Sequence, residues 1–365
     1  MPTYRLAFIA MLTALLIAPA AAQDYIREDL RLPMREAGSK GLEAIFVRPA
    51  EQGRYPLVVI SHGAPRKVEE RPGMTPAGYY LNALEFARRG FAVAIVMRRG
   101  YGSSGGEFAE NSGPCNNRDY VRSGRAGAED IRAAIIALGK RADVDAARVI
   151  SVGQSAGGFA TVALAADPPP GLVAAVSFAG GRGSRADYDV CSEARLIAAF
   201  GVFGQTSRLP MLWVYTANDH FFEPKLAEKF HGAFTASGGR VEFIRAPAFG
   251  KDGHRLFSAA GIPQWTPYVD QFLADSNLKQ RAAPAALPPL PALTAPSQLN
   301  ARGRQSFDEY RRAPGHKAFA VARDGAFGWR SARRSIDEAR SEALKSCGEH
   351  AKTCRIVFID DATAP

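Results

Sequence analysis

The stretch best suited to covalent chemistry is Gly153-Gln154-Ser155-Ala156-Gly157. A serine hydroxyl is a weak nucleophile until a neighbouring base takes its proton and a carboxylate orients that base. Gly153 and Gly157 allow close backbone approach two places either side of Ser155, so a sharp turn can push its hydroxyl outward. A helix opening at Ala156 would offer free N–H groups to a developing oxyanion. In such a strand–turn–helix setting the acid and then the histidine follow along the chain. Asp219 lies just past the apolar run Met211–Tyr215, and His254 sits in the segment after Val241–Ile244. Of the six histidines, His231 falls mid-helix, His316 and His350 lie beyond a proline-rich tract, His220 adjoins the acid and His62 precedes the serine. His254 is therefore the expected base and Asp219 the expected acid. Asp187 and Asp189 are held in reserve, and a helix N-cap is the plain structural alternative for Asp219.

The second oxyanion donor is expected from His62-Gly63-Ala64-Pro65. Proline has no N–H, so the donor is Ala64 or Gly63, acting with the N–H of Ala156. His62 reads as a structural hydrogen-bonding residue beneath that loop. Arg99 and Tyr101 are expected to line the substrate pocket or to brace its loop. The run Gly100-Tyr-Gly-Ser-Ser-Gly105 matches a dinucleotide fingerprint, yet no apolar helical period follows it, which argues against a nucleotide site.

Strands must deliver these residues. Leu57–Ile60, Phe91–Met97, Val149–Val152, Leu172–Phe178, Met211–Tyr215 and Val241–Ile244 are continuous apolar runs, the pattern of strands buried on both faces. Residues 27–32 and 41–48 alternate as two opening strands. Helical stretches are expected near 76–89, 126–140, 192–200, 224–237 and 265–275. Strands alternating with helices imply a mostly parallel α/β sheet with helices on both faces, with ligands at the carboxyl ends of the strands. Residues 180–199, with Arg182, Arg185, Asp187, Tyr188 and Cys191, are expected to cap the pocket. Residues 278–302 form a Pro/Ala-rich linker. Beyond it, 303–365 read as a small α+β domain, with strands at 318–322, 326–330 and 356–359 and a helix at 335–347.

The chain has 365 residues and a formal charge of +10. Its basic residues are scattered among acids, so nothing points to nucleic acid, and a solvated basic surface or an acidic partner fits better. Residues 1–22 combine Arg5, a short apolar run and Ala18-Pro-Ala-Ala-Ala22, which reads as a cleaved signal peptide. A periplasmic or secreted protein is thus expected, and its four cysteines should pair as Cys115–Cys191 and Cys347–Cys354. That first pair would tether the cap to the loop before the 126–140 helix. No cysteine has metal-ligand spacing, so no metal site is expected.

Ser61-His-Gly63, Arg98-Arg-Gly-Tyr-Gly102, Gly153–Gly157, Asn218-Asp219 and Gly253-His254 together resemble the α/β-hydrolase superfamily. The branch most similar is the secreted dienelactone-hydrolase-like and prolyl-oligopeptidase-like serine hydrolases, over about residues 25–276. The resemblance implies an acyl-enzyme mechanism on small esters or, less often, short peptides, with no organic cofactor. Dienelactone hydrolases proper use cysteine where this chain has Ser155, and prolyl oligopeptidases add a propeller that this chain lacks. A non-catalytic envelope-binding protein, its C-terminal domain making the contact, is the rival from another class.

Overall fold

The structure is a computed structural model, and it describes residues 24–365. The expected signal peptide lies outside the described residues. Eight strands form one sheet: β1 (Tyr25–Leu32), β2 (Leu42–Pro49), β3 (Tyr55–Ser61), β4 (Ala92–Val96), β5 (Val144–Gln154), β6 (Leu172–Phe178), β9 (Met211–Thr216) and β10 (Glu242–Ala246). Between them, β7 (Ser184–Ala186) and β8 (Asp189–Val190) pair as a separate hairpin. The order in the large sheet is β1-β2-β4-β3-β5-β6-β9-β10. The β1–β2 and β2–β4 pairs are antiparallel and every later pair is parallel. This is the mostly parallel sheet expected from the apolar runs, and it agrees with the α/β-hydrolase fold that the resemblance implies.

Each central strand is apolar on both sides because each side has its own helical layer. In β3, Leu57 and Val59 enter one core cluster, while Val58 and Ile60 enter the other. The first cluster is covered by α2 (Tyr120–Leu138), α3 (Ala156–Ala166), α4 (Glu193–Gly204) and α5 (Pro224–Ala236). The second is covered by α1 (Tyr80–Arg88) and α6 (Ile262–Asp275), with Trp265 stacked near Phe86 and Phe257. Helix α2 starts at Tyr120 rather than near 126, because Asp119 caps it by accepting from the Arg122 N–H at 2.9 Å.

The C-terminal part is a four-stranded antiparallel sheet, in the order β12 (Phe327–Arg330), β11 (Ala318–Ala322), β13 (Cys354–Ile359), β14 (Ala362–Thr363). Its centre alternates: Phe319 and Val321 pack under α7 (Ala301–Arg312), and Ala318, Ala320 and Ala322 under α8 (Ile336–Gly348). Helix α7 was not expected from the sequence, yet Leu299, Phe307 and Tyr310 give it an apolar stripe and Asn300 caps it. The proline-rich segment before it lies along the larger sheet's layers, where Arg88 donates to the Ala285 carbonyl and Tyr25 to that of Ala286. Both disulfides are formed as expected, Cys115–Cys191 and Cys347–Cys354. Among the described residues no helix is long and apolar enough to cross a membrane.

Candidate active site

Ser155 stands between β5 and α3 with φ 54° and ψ −120°, a left-handed conformation that a non-glycine residue adopts only under constraint. The constraint is tight packing. A Cβ on Gly153 would come within 2.2 Å of the Gly157 carbonyl oxygen, and one on Gly157 within 2.1 Å of that of Ser61. The Ser155 N–H donates to the Phe178 carbonyl at 2.9 Å, fixing the turn to β6. Its side chain makes no hydrogen bond to another described residue.

Asp219 and His254 meet as the sequence suggested. His254 Nδ1 lies 3.1 Å from each carboxylate oxygen of Asp219, and Asp219 is fully buried. Asp219 Oδ1 also accepts the N–H groups of Phe221 and Phe222, at 2.7 and 2.9 Å. Asp252 holds the two loops together by accepting from the His220 and His254 N–H groups. Gly253 has no room for a side chain, since a Cβ would come within 1.8 Å of Thr216 Oγ1. The imidazole is stacked on Phe221 at 3.9 Å between centroids, and Arg66 covers the other side of that ring at 3.7 Å.

Gln154 links nucleophile and base in a way the sequence did not reveal. Its amide donates to the His254 carbonyl at 2.8 Å and accepts from the Tyr79 hydroxyl at 2.7 Å. Tyr79 in turn receives the Gly63 N–H at 3.2 Å. Gly63 is therefore engaged, whereas the Ala64 N–H has no partner among the described residues, and Ala64 borders the same cavity as Ser155 and Ala156. His62 is buried, accepts the Arg98 N–H at Nε2 and donates from Nδ1 to the Gly63 carbonyl. Burial and then the neighbouring Arg98 charge hold it well below the usual histidine range, so it remains a neutral brace.

The cavity beside Ser155 measures about 380 Å³. Arg99 and Tyr101 do not line it, which corrects that expectation. Arg99 turns away to Asp130, bonding through both its N–H and Nε. Tyr101 is fully buried, edge-on to His62. Both brace the loop after β4. The cavity is lined instead by Phe108, Glu110, Arg182, Arg71 and Phe221. The glycines of the 100–105 run serve packing: a Cβ on Gly105 would lie 1.9 Å from the Ala37 carbonyl oxygen, and no helix opens there.

Glu110 is the carboxylate that anchors this wall. It is buried between the guanidinium groups of Arg98 and Arg182. Burial alone would raise its pKa, but Arg98 and Arg182 override that and hold it at about 2. Its folded-state value lies below the ordinary 4.5, so its stabilising contribution is present above that pH and is lost as pH falls toward about 2. Glu110→Gln strands two buried cations and is expected to lower stability by about 3–5 kcal/mol. Urea denaturation at pH 7 checks this, and the wild-type advantage should fade as the medium is acidified.

Comparison with known proteins adds the following. A family model described as X-Pro dipeptidyl-peptidase (S15 family) matches residues 39–229, a span that contains Ser155 and Asp219. Acylamino-acid-releasing enzyme 1 of Oryza sativa subsp. japonica is 30% identical over 169 residues, which is 43% of this chain and 20% of that enzyme. The chain thus spans about a fifth of that curated relative. Among solved structures, the acylaminoacyl peptidase of Pyrococcus horikoshii aligns with a TM-score of 0.51 at 16% identity, over 72% of this chain and 43% of that one. An esterase from Thermogutta terrifontis aligns with a TM-score of 0.46 at 18% identity, over 69% and 96% of the two chains.

Proposed function

The chain belongs to the X-Pro dipeptidyl-peptidase (S15) family, and on that premise we propose a hydrolase that cleaves carboxylic esters through an acyl-enzyme on Ser155. That membership supports a serine hydrolase of the esterase or peptidase type; the choice of esters and the residue roles are our reading. The single observation that carries it is the buried Asp219–His254 pair beside the strained Ser155 turn. In this reading His254 takes the Ser155 proton as Oγ attacks the acyl carbonyl. Asp219 keeps the Nδ1 proton in place and stabilises the imidazolium. The N–H groups of Ala156 and Ala64 receive the oxyanion, since that of Gly63 is held by Tyr79. His254 then gives its proton to the leaving alcohol, and a water repeats the sequence to free the acid. No hydrogen bond joins the Ser155 hydroxyl to His254 in the substrate-free chain, and such catalytic contacts often tighten only in the substrate complex. Two disulfides support an exported protein.

Electrostatics favours esters over peptides with a free N-terminus. Dipeptidyl release requires a substrate with an N-terminal ammonium close to the scissile bond. Arg66, Arg71, Arg118, Arg182 and Arg185 border the cavity, and Glu110, its one carboxylate, is already shared by two arginines. An ammonium would be repelled there. Short N-acylated peptides lack that charge and form the second reading, favoured by the match to an acylamino-acid-releasing enzyme.

A panel of p-nitrophenyl esters, N-acetyl-aminoacyl p-nitroanilides and Xaa-Pro p-nitroanilides tests this choice. The expected result is ester turnover exceeding either anilide in kcat/KM by about a hundredfold. Preferential cleavage of Xaa-Pro p-nitroanilide would overturn the ester reading.

A further inference from the structure

We propose that the substrate of this site carries a carboxylate near its scissile ester, and that Arg71 receives it. The proposal rests on the hydrolase reading above and names the substrate class of the same site. The charges around the cavity are unequal in their partners. Arg66 is paired with Asp187 and bonded to Ser184, Arg185 is paired with Asp189, and Arg182 is paired with Glu110. Arg118 bonds only to neutral groups, among them Ser112 Oγ at 3.0 Å. The Arg71 side chain makes no hydrogen bond and no ion pair with any described residue, and its Nε is buried without a partner.

That isolation is unusual for a guanidinium, which presents five donors and is costly to shield from water unsatisfied. The Arg71 guanidinium carbon lies over Phe108, 3.6 Å from the ring centroid, with Tyr101 at 5.7 Å. Stacking fixes the plane of the group and leaves its N–H edge unused, the geometry that suits bidentate capture of a carboxylate. Glu110 cannot turn to meet it, because Arg98 and Arg182 already hold both its oxygens.

The turn that carries Arg71 is also pinned from both sides. The Arg71 carbonyl accepts the Gly102 N–H at 2.9 Å. From the connection between β12 and α8, Arg334 donates to the carbonyls of Pro72 and Met74, and the Ala332 carbonyl accepts from the Thr75 hydroxyl at 2.8 Å. A flexible surface arginine would not be held this way. A cavity of about 380 Å³ is near the lower end for a ligand site, so the anion must lie close to the ester.

The test compares anionic and neutral esters of matched size on the full chain. Mono-p-nitrophenyl succinate is set against p-nitrophenyl pentanoate, and the butyryl ester of 3-hydroxybenzoate against phenyl butyrate, so that the anion falls on the acyl or the alcohol side. In at least one pair the anionic member is expected to lead in kcat/KM by about tenfold or more. That ratio should collapse toward one in Arg71→Gln, survive in part in Arg71→Lys, and be unchanged in the remote Arg312→Gln. Should Arg71→Gln fail to fold, Arg334→Ala, which loosens the same turn from outside the cavity, should lower the same ratio. Succinate should slow fluorophosphonate labelling of Ser155. Equal or reversed preference in both pairs overturns the proposal, as does protection by inorganic phosphate but not by succinate. In either case continued labelling of Ser155 leaves the hydrolase reading standing. Absence of labelling in the wild type removes that reading and this proposal with it.

Discussion

Ser155→Ala is expected to lower p-nitrophenyl ester turnover by about 10⁶-fold and to abolish covalent labelling by a fluorophosphonate. The size follows from what remains. Alanine keeps the Ala156 and Ala64 N–H groups and the His254–Asp219 pair, so the carbonyl can still be polarised. It removes the one atom that could form the acyl-enzyme, and water must then attack unaided. The substitution should not cost stability: the hydroxyl makes no hydrogen bond, and Cβ already sits in the φ 54° turn. An unchanged urea midpoint with lost labelling separates a chemical role from a structural one. Retained labelling would place the nucleophile elsewhere and sink the proposed mechanism.

What the sequence disclosed, and what it concealed, follows from the range of the interactions concerned. The central sheet was legible because strands such as β3 and β4 are apolar on both faces, a pattern that surface strands cannot carry. Ser155 was legible because its turn admits only small neighbours at 153 and 157, a purely local constraint. Asp219 and His254 could be placed at strand ends by order alone. The wall of the cavity could not. Glu110 chooses Arg98 and Arg182, the latter 72 residues away, and an irregular loop with no periodicity delivers it. Adjacent Arg98 and Arg99 pair with different carboxylates, one with Glu110 and one with Asp130, and nothing in the dipeptide says which takes which. The proposed preference for the Ala64 N–H over that of Gly63 needed Tyr79, whose hydroxyl no sequence pattern aims. Helix α7 was hidden by the neighbouring prolines, although Leu299, Asn300, Phe307 and Tyr310 held its signature.

Asp219→Asn should lower kcat by about 10⁴-fold while leaving KM and the fold nearly unchanged. The hydrogen-bond pattern around the carboxylate gives the reason. Oδ1 accepts two backbone N–H groups, from Phe221 and Phe222, and an asparagine oxygen would satisfy both. Its NH₂ group would then occupy the Oδ2 position, 3.1 Å from His254 Nδ1. A donor facing Nδ1 forces that nitrogen to accept, which moves the ring proton to Nε2, the side that must take the proton from Ser155. The imidazole itself would hardly move, because Phe221 stacks on it and Asp252 holds its backbone N–H. The enzyme would thus keep its shape and carry the wrong tautomer. Hydroxide can replace the lost base, so the residual rate should climb with pH well above neutrality, where the wild-type rate is level. A variant whose kcat falls by less than tenfold would show that Asp219 serves only as a cap for the 221–222 turn.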